Sequence, residues 1–200
     1  MKVFITFHWR TGDLFSSEDS FMKSDYFNAV NSFLNSEHAR KLSNNGVKFM
    51  FMPHAMIRKW GNKFNIPDYI EVPTEKPFQD ILVESDVLVT DFSSNSFEMA
   101  YMDKPTVCWI PDVQYVRKKC YLQYHIDDIS KYSHIIRCVD MNTCFQTISG
   151  MKKLHDNGMP LCSIHSGIVK NHDMDNTKRL VEWMFGDNLK RQTGFDYGTK

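Results

Sequence analysis

The sequence predicts an α/β fold, in which helices cover both faces of a doubly wound, mostly parallel sheet. Short runs of β-branched and aromatic residues alternate with longer segments whose apolar residues recur at helical spacing, as they do in strand–helix–strand crossovers. No repeat, low-complexity tract or Gly/Ser linker divides the 200 residues. We therefore expect one Rossmann-like domain over residues 1–186, followed by a tail over residues 187–200.

The predicted strands are short and apolar along most of their length, as strands buried on both faces of a parallel sheet are. The first of them, KVFITF, combines β-branched with aromatic residues, which favour extended backbone. In chain order, the six predicted strands are Lys2–Phe7, Val47–Met52, Tyr69–Val72, Asp86–Thr90, Thr106–Ile110 and His134–Val139.

The predicted helices are recognised by the spacing of their apolar residues. Ser24 is suited to capping the first of them, Asn44, Asn45 and Gly46 are suited to ending it, and the residues before it, up to Ser20, are predicted to form a polar loop. The five predicted helices are Asp25–Leu42, Pro77–Ser85, a helix through Phe97–Tyr101, Asn142–Leu154 and Asn176–Phe185.

The charge balance argues against two classes of protein. The chain has 24 Lys and Arg against 24 Asp and Glu, so no global basic field would hold a nucleic acid. No apolar run reaches the length of a membrane span, and Arg10 interrupts the N-terminal apolar stretch, so we expect a cytoplasmic protein. The basic run Arg117–Lys119 is interpreted as a solvated face, or alternatively as a weak attraction to anionic lipid.

The cysteines and histidines do not predict a metal centre. The five cysteines form no C-x-x-C pair, and no H-E-x-x-H motif occurs among the eight histidines. We therefore expect reduced thiols, no structural metal and no cofactor. The length is enough for one nucleotide-binding domain but short for an enzyme whose site lies between two domains.

The turn after the fourth predicted strand is rich in small polar residues. It contains Asp91, Ser93, Ser94 and Asn95, where a helix starts. Hydroxyl and amide donors, together with the unpaired N–H groups of a helix start, are suited to holding a phosphate. The alternative is that Asn95 and Glu98 form a capping box.

Other polar residues follow the first, second and fifth predicted strands. His8 and Arg10 close the first, His54 directly follows the second, and Asp112 lies beyond the fifth. Parallel strands end at one edge of a sheet, where ligands bind, so we expect these side chains near one another. An imidazole can donate to a phosphate or act as a general base, and an arginine can grip a phosphate. The alternatives are a structural histidine and a surface arginine.

Residues 47–112 resemble the C-terminal domain of the CDP-glycerol glycerophosphotransferases, the teichoic-acid and capsule polymerases that add glycerol phosphate to a growing chain. The matching motifs are FMPH at 51–54 and ILVESDVLVTDFSSNSFEMAYMDKP at 81–105. Weaker matches are ITFHWR at 5–10 and NHDMDNTKRLVEWMF at 171–185. The chain departs from the family at His8, where the family has Thr, and over residues 118–133.

The resemblance implies one half of a GT-B fold that binds a nucleotide-linked donor without a metal. By this resemblance, Ser93 and Ser94 hold the donor phosphates, and His54 contacts or deprotonates at the transferred phosphate. Arg10, Asp91 and Asn95 are expected to assist the phosphate site. Further contacts with nucleotide or acceptor are expected from His8, Glu98 and Asp112.

The expected reaction is attack by an acceptor hydroxyl on the donor β-phosphate, which releases CMP. The acceptor would be a polymer or a lipid-linked chain, and the missing half of the cleft would come from an N-terminal acceptor domain or a partner chain. Such an enzyme would work in the cytoplasm, at the inner face of the membrane. Two alternatives remain, namely a GT-B glycosyltransferase that uses a sugar nucleotide and a non-catalytic nucleotide-binding domain that works through a partner.

Overall fold

The computed structural model describes residues 1–12, 15–119, 134–162, 171 and 173–185. The chain divides into two compact units, Met1–Ile168 and Val169–Lys200, and the predicted tail over residues 187–200 lies outside the described residues. In the first unit the elements are β1 (Lys2–Ile5), α1 (Glu18–Met22), α2 (Asp25–Leu34), α3 (Glu37–Asn44), β2 (Lys48–Phe51), a 3₁₀ helix (Ala55–Lys63), β3 (Ile70–Glu71), α4 (Phe78–Glu84), β4 (Val87–Thr90), α5 (Asn95–Tyr101), β5 (Thr106–Trp109), α6 (Val113–Lys119), β6 (Ile135–Cys138) and α7 (Met141–Asp156).

The described strands form one parallel sheet in the order β3-β2-β1-β4-β5-β6. This confirms the predicted fold class and all six predicted strands, with boundaries that differ by at most two residues. The chain builds outward from β1 to β3, then returns to place β4 on the other side of β1. The crevice at this reversal, between the carboxyl ends of β1 and β4, is where ligands bind in sheets of this type.

The predicted helix Asp25–Leu42 is in fact two helices, because Ser36 starts a new one. The α2 helix ends at Leu34 with Asn35 as its C-cap, and the Ser36 hydroxyl accepts the Ala39 N–H at 3.0 Å, which caps α3. Apolar spacing runs through both helices, so periodicity alone does not reveal the break.

Replacing Ser36 with Ala is expected to lower the free energy of unfolding by about 1 kcal/mol, because the α3 N–H groups lose their side-chain acceptor. Urea unfolding followed by circular dichroism measures this change. The matched control is Ser32→Ala, at an exposed position within α2, which is expected to change stability by less than about 0.5 kcal/mol. Equal effects of the two substitutions would contradict the capping role.

The predicted polar loop up to Ser20 ends in a short helix, α1, which the sequence did not predict. In α1, Ser17 and Ser20 form a reciprocal capping box, and Phe21 is buried. The Phe21 ring stacks on Trp60 of the 3₁₀ helix with centroids 5.0 Å apart. Five residues are too few to show a helical period, so only the capping residues could have indicated this helix.

Aromatic side chains fill the layer between the sheet and α2. Phe33 of α2 is fully buried, and its ring centroid lies 6.4 Å from Phe7, 5.4 Å from Trp109 and 4.5 Å from Phe145 of α7. These contacts join α2, the end of β1, β5 and α7. This part of the core therefore packs against the carboxyl ends of β1 and β5.

The described part of the second unit is the helix α8 (Asn176–Phe185), which matches its prediction. Arg179 donates to the Asp173 carboxylate at 2.7 Å, just before the helix. The larger apolar side chains of this helix are exposed within the described residues, namely Leu180, Val181, Trp183, Met184 and Phe185.

Candidate functional site

The parallel register brings the ends of β1, β2 and β4 together. Ile5 of β1 pairs with Phe51 of β2 on one side and with Val89 of β4 on the other. Two more backbone hydrogen bonds extend this pairing: the Met52 N–H donates to the Ile5 C=O at 3.1 Å, and the Thr6 N–H donates to the Val89 C=O at 3.0 Å. The residues that follow these strands therefore emerge side by side.

A cavity of about 230 Å³ opens at this edge. It brings together three of the predicted site residues, His54, Ser93 and Asn95. It also includes Arg58 of the 3₁₀ helix, which the sequence analysis did not select although it lies four residues after His54. The remaining lining residues are Thr6, Phe7, Met52, Pro53, Ala55 and Phe78. Hydroxyl, amide, imidazole and guanidinium groups in one cavity are suited to binding an anion.

His54 is held by the start of the 3₁₀ helix, where its Nδ1 accepts the Met56 N–H at 3.2 Å. A backbone N–H can only donate, so the lone pair is on Nδ1 and the ring proton is on Nε2. Burial lowers the pKa of His54 below its ordinary value, as do His8 and Arg58, while Asp91 acts in the opposite direction. His54 is therefore neutral at pH 7, with an N–H to offer.

His8 lies next to His54, with ring centroids 5.2 Å apart. The His8 Nδ1 lies 2.7 Å from the Trp9 carbonyl oxygen, and the His8 N–H donates to Asp91 Oδ1 at 3.0 Å. The His8 ring also lies 5.2 Å from the Phe92 ring. Both histidines are half-buried; His54 lines the cavity, whereas His8 is not among its lining residues.

At the carboxyl edge of the sheet, Arg10 lies in a buried ion cluster and is not among the residues that line the cavity. Its side chain is completely buried, and its Nε and Nη2 donate to the two Asp112 carboxylate oxygens at 2.8 and 2.6 Å. Its Nη1 donates to Asp91 Oδ2 and to the His8 carbonyl oxygen, both at 2.7 Å. Arg10 and Asp91, predicted to contact phosphate, and Asp112, predicted to contact nucleotide or acceptor, thus pair with one another, with one guanidinium between two carboxylates.

The environment of Arg10 keeps it charged. Burial would lower the pKa of the guanidinium, but Asp91 and Asp112 raise it above its ordinary value. The guanidinium carbon also lies 4.6 Å from the centre of the Tyr26 ring and 5.0 Å from that of Phe92, within the range of cation–π attraction. The cluster of Arg10, Asp91 and Asp112 therefore ties the ends of β1, β4 and β5 together.

Only some of the polar residues predicted for the site in and after the turn that follows β4 line the cavity. Ser93 and Asn95 line the cavity, whereas Ser94 and Glu98 are exposed and are not among its lining residues. The predicted alternative, a capping box of Asn95 and Glu98, is not formed, since Ser94 precedes the helix and no side chain caps it. The Ser93 Oγ accepts the Asn95 N–H at 3.4 Å, a long hydrogen bond.

A second cavity of about 350 Å³ adjoins the first, and the two share Met52, Pro53 and Arg58. Its other lining residues are Gly61, Asn62, Ile66, Val72, Pro73 and Thr74. Ligand pockets commonly combine such an apolar lining with a few polar groups. A ligand anchored at His54 and Ser93 has room to extend past Arg58 into this cavity.

In the described part of the chain, no three His, Cys, Asp or Glu side chains are arranged so that they could hold a metal ion. No helix among the described residues is long and apolar enough to cross a membrane. The described cysteines, Cys108, Cys138, Cys144 and Cys162, have free thiols; Cys120 lies outside the described residues.

Comparison with protein families matches residues 9–129 to the family model described as CDP-Glycerol:Poly(glycerophosphate) glycerophosphotransferase. The matched region is more than half of the chain and contains the ends of β2, β4 and β5. It therefore includes the residues that line the 230 Å³ cavity, except for Thr6 and Phe7.

Two curated proteins of teichoic acid synthesis are similar to parts of the chain. The minor teichoic acid biosynthesis protein GgaB of Bacillus subtilis is 31% identical over 106 residues, which are 52% of this chain and 12% of that protein. The teichoic acid poly(ribitol-phosphate) polymerase of Bacillus spizizenii is 32% identical over 87 residues, 40% of this chain and 14% of that protein. The matched part of this chain thus spans about an eighth of the length of these relatives.

Among solved structures, the chain is similar to S. aureus MnaA in a co-structure with UDP. The TM-score is 0.52 at 15% sequence identity, over 98% of this chain and 49% of that chain. At this level of identity the likeness concerns the fold alone.

Proposed function

Because this chain belongs to the CDP-glycerol:poly(glycerophosphate) glycerophosphotransferase family, as its motifs predicted, we propose that it is the donor-binding part of a CDP-glycerol-type glycerophosphotransferase. It would transfer glycerol phosphate to a teichoic-acid or capsular polymer. The observation that carries this proposal is the cavity at the β1–β4 reversal, with His54, Ser93, Asn95 and Arg58 in its lining. These groups match the charge and the hydrogen-bonding capacity of a nucleoside diphosphate.

The donor pyrophosphate would lie against Ser93, Asn95 and Arg58. The Ser93 hydroxyl and the Asn95 amide each offer a neutral donor, and Arg58 offers a positive charge in the same cavity lining. His54 would donate its Nε2–H to a phosphoryl oxygen, since its Nδ1 is already occupied by Met56. Ser94 remains a predicted contact that this cavity does not include.

The proposed reaction is an in-line displacement at the donor β-phosphorus. The acceptor hydroxyl oxygen forms a new bond to this phosphorus, and the bond to the oxygen that bridges to the α-phosphate breaks. CMP leaves with the electron pair, and the hydroxyl proton passes to a base. The protein contributes by positioning the two reactants and by offsetting charge on the phosphoryl oxygens. Neither task requires a metal or a cofactor.

The acceptor site belongs to a further domain or a partner chain under this proposal. The matched part of the chain is only 12% and 14% of the length of the two curated relatives, so most of their length has no counterpart here. A polymer or lipid-linked acceptor would place the assembled enzyme at the cytoplasmic face of the membrane.

Donor binding is the direct test. A ligand at about 100 times its Kd stabilises a protein by about 2.7 kcal/mol, so CDP-glycerol is expected to raise the thermal midpoint by several degrees. CDP-ribitol, UDP-sugars and CMP-linked sugars are compared at the same concentration. A larger shift with a UDP-sugar would overturn the proposal in favour of a glycosyltransferase. Donor binding without transfer, even after the acceptor half is added, would favour a non-catalytic domain.

Replacing Ser93 with Ala is expected to weaken CDP-glycerol binding roughly 10- to 100-fold, because a hydrogen bond to a charged group contributes about 1.5–3 kcal/mol. Titration calorimetry measures the Kd of both proteins. Ser32→Ala, at an exposed position of α2, is the matched control and is expected to leave the Kd unchanged. An unchanged Kd for the Ser93 variant would remove Ser93 from the phosphate site.

A further inference from the structure

His8 and His54 carry their ring protons on different nitrogens. A carbonyl oxygen can only accept, so the 2.7 Å contact with Trp9 requires the proton of His8 to be on Nδ1. A backbone N–H can only donate, so the 3.2 Å contact with Met56 requires a lone pair on His54 Nδ1. In the neutral state, His8 therefore presents a lone pair at Nε2, and His54 presents an N–H at Nε2.

Both Nε2 atoms are available to a ligand as far as the structure describes the chain. Neither has a hydrogen-bond partner among the described residues, and both rings are half-buried at the carboxyl edge of the sheet. The ring centroids are 5.2 Å apart, so one acceptor and one donor lie on neighbouring rings. A hydroxyl that attacks a phosphoryl group needs this combination, because the hydroxyl must lose a proton while the phosphoryl oxygens need donors.

We propose, on the basis of the proposed function, that His8 Nε2 accepts the proton of the attacking hydroxyl while His54 Nε2–H donates to a phosphoryl oxygen of the donor. As the new oxygen–phosphorus bond forms, the hydroxyl proton moves to the His8 lone pair, and CMP departs with the electrons of the broken bond. His8 then returns its proton to water. This assignment makes His8 the base, whereas the family resemblance implies that role for His54.

The surroundings of His8 fit this role. Its backbone is held on both sides, by Asp91, which accepts its N–H at 3.0 Å, and by Arg10, which donates to its C=O at 2.7 Å. The ring is fixed further by its contact with Phe92. The charged and titratable groups around it are Asp91 and Arg10 from the ion cluster and His54 from the facing loop. The Asp91 carboxylate is positioned to offset the positive charge that His8 gains.

The protonation pattern is tested without any assay of activity. Long-range ¹H–¹⁵N correlation spectra of the ¹⁵N-labelled chain distinguish Nδ1–H from Nε2–H in each histidine, and His8→Gln and His54→Gln variants assign the signals. The expected result is Nδ1–H for His8 and Nε2–H for His54 in the neutral range. Finding Nε2–H at His8, or Nδ1–H at His54, would overturn the proposal even if CDP-glycerol proves to be the donor.

Turnover by the active transferase gives the second test. A glutamine amide reaches the position of Nε2 and can donate a hydrogen bond there, but it cannot take up a proton at neutral pH. His8→Gln is therefore expected to lose roughly 10²- to 10⁴-fold in kcat with donor affinity nearly unchanged. His54→Gln is expected to lose much less kcat than His8→Gln and more than His38→Gln, the exposed control on α3. Full turnover by His8→Gln, or equal losses of kcat in both site variants, would refute the assignment of His8 as the base. Failure of the wild-type protein to bind CDP-glycerol would instead refute the proposed function.

Discussion

Replacing Arg10 with Met is expected to lower the free energy of unfolding by about 3–5 kcal/mol, because it leaves two buried carboxylates without a positive partner. The side chains of Arg10 and Asp91 are fully buried, and that of Asp112 is 2% exposed. In the native protein the guanidinium is shared by the two carboxylates through hydrogen bonds of 2.6–3.1 Å. Urea unfolding at neutral pH measures the loss.

The matched control for this substitution is Arg40→Met. Arg40 is exposed on α3, and its guanidinium carbon lies 5.8 Å from the Tyr69 ring centre, so its loss is expected to cost less than about 1 kcal/mol. Similar losses for the two variants would mean that the buried ion cluster contributes little to stability. That outcome would also remove the reason to treat Arg10 as a residue that positions His8.

The positions of Arg10, Asp91 and Asp112 in the sheet could be predicted from the sequence, but their contacts with one another could not. Each was correctly placed at the carboxyl edge of the sheet, because strand boundaries follow from local apolar patterns. Their mutual pairing depends on β4 lying between β1 and β5, and strand order has no local signal. The local sequence pattern of charged residues at a ligand-binding edge therefore does not distinguish residues that contact a ligand from residues that pair with one another.

The other differences between the sequence predictions and the structure arise from contacts between residues distant in sequence, or from short elements. Arg58 was missed because the 3₁₀ helix that carries it has no clear period, yet this helix brings it to the cavity with Ser93. The protonation state of His54 depends on one backbone N–H two residues later, which becomes visible only once the turn has formed. The six strands and the three strand ends around the cavity needed no such information.

Replacing Phe33 with Ala is expected to lower the free energy of unfolding by about 3–5 kcal/mol, because a fully buried ring is lost and a cavity remains. Phe33 contacts Phe7, Trp109 and Phe145, so the cavity would open beneath β1, β5 and α7 together. Differential scanning calorimetry, supported by urea unfolding, measures the change. Phe97→Ala, at an α5 position that is 43% exposed, is the control and is expected to cost less than about 1 kcal/mol.

Phe33→Ala is also expected to affect the His8 ring through Phe7. Phe7 directly precedes His8 in the sequence, and it also lines the cavity. Loss of the Phe33 ring removes one support of Phe7, so the His8 ring is expected to become less well fixed while its hydrogen bonds to Asp91 and Arg10 remain possible. In the ¹⁵N spectra the His8 signals would broaden in Phe33→Ala and stay sharp in Phe97→Ala. Sharp His8 signals in a destabilised Phe33 variant would show that the ion cluster alone positions His8, since the core beneath it would then make no contribution.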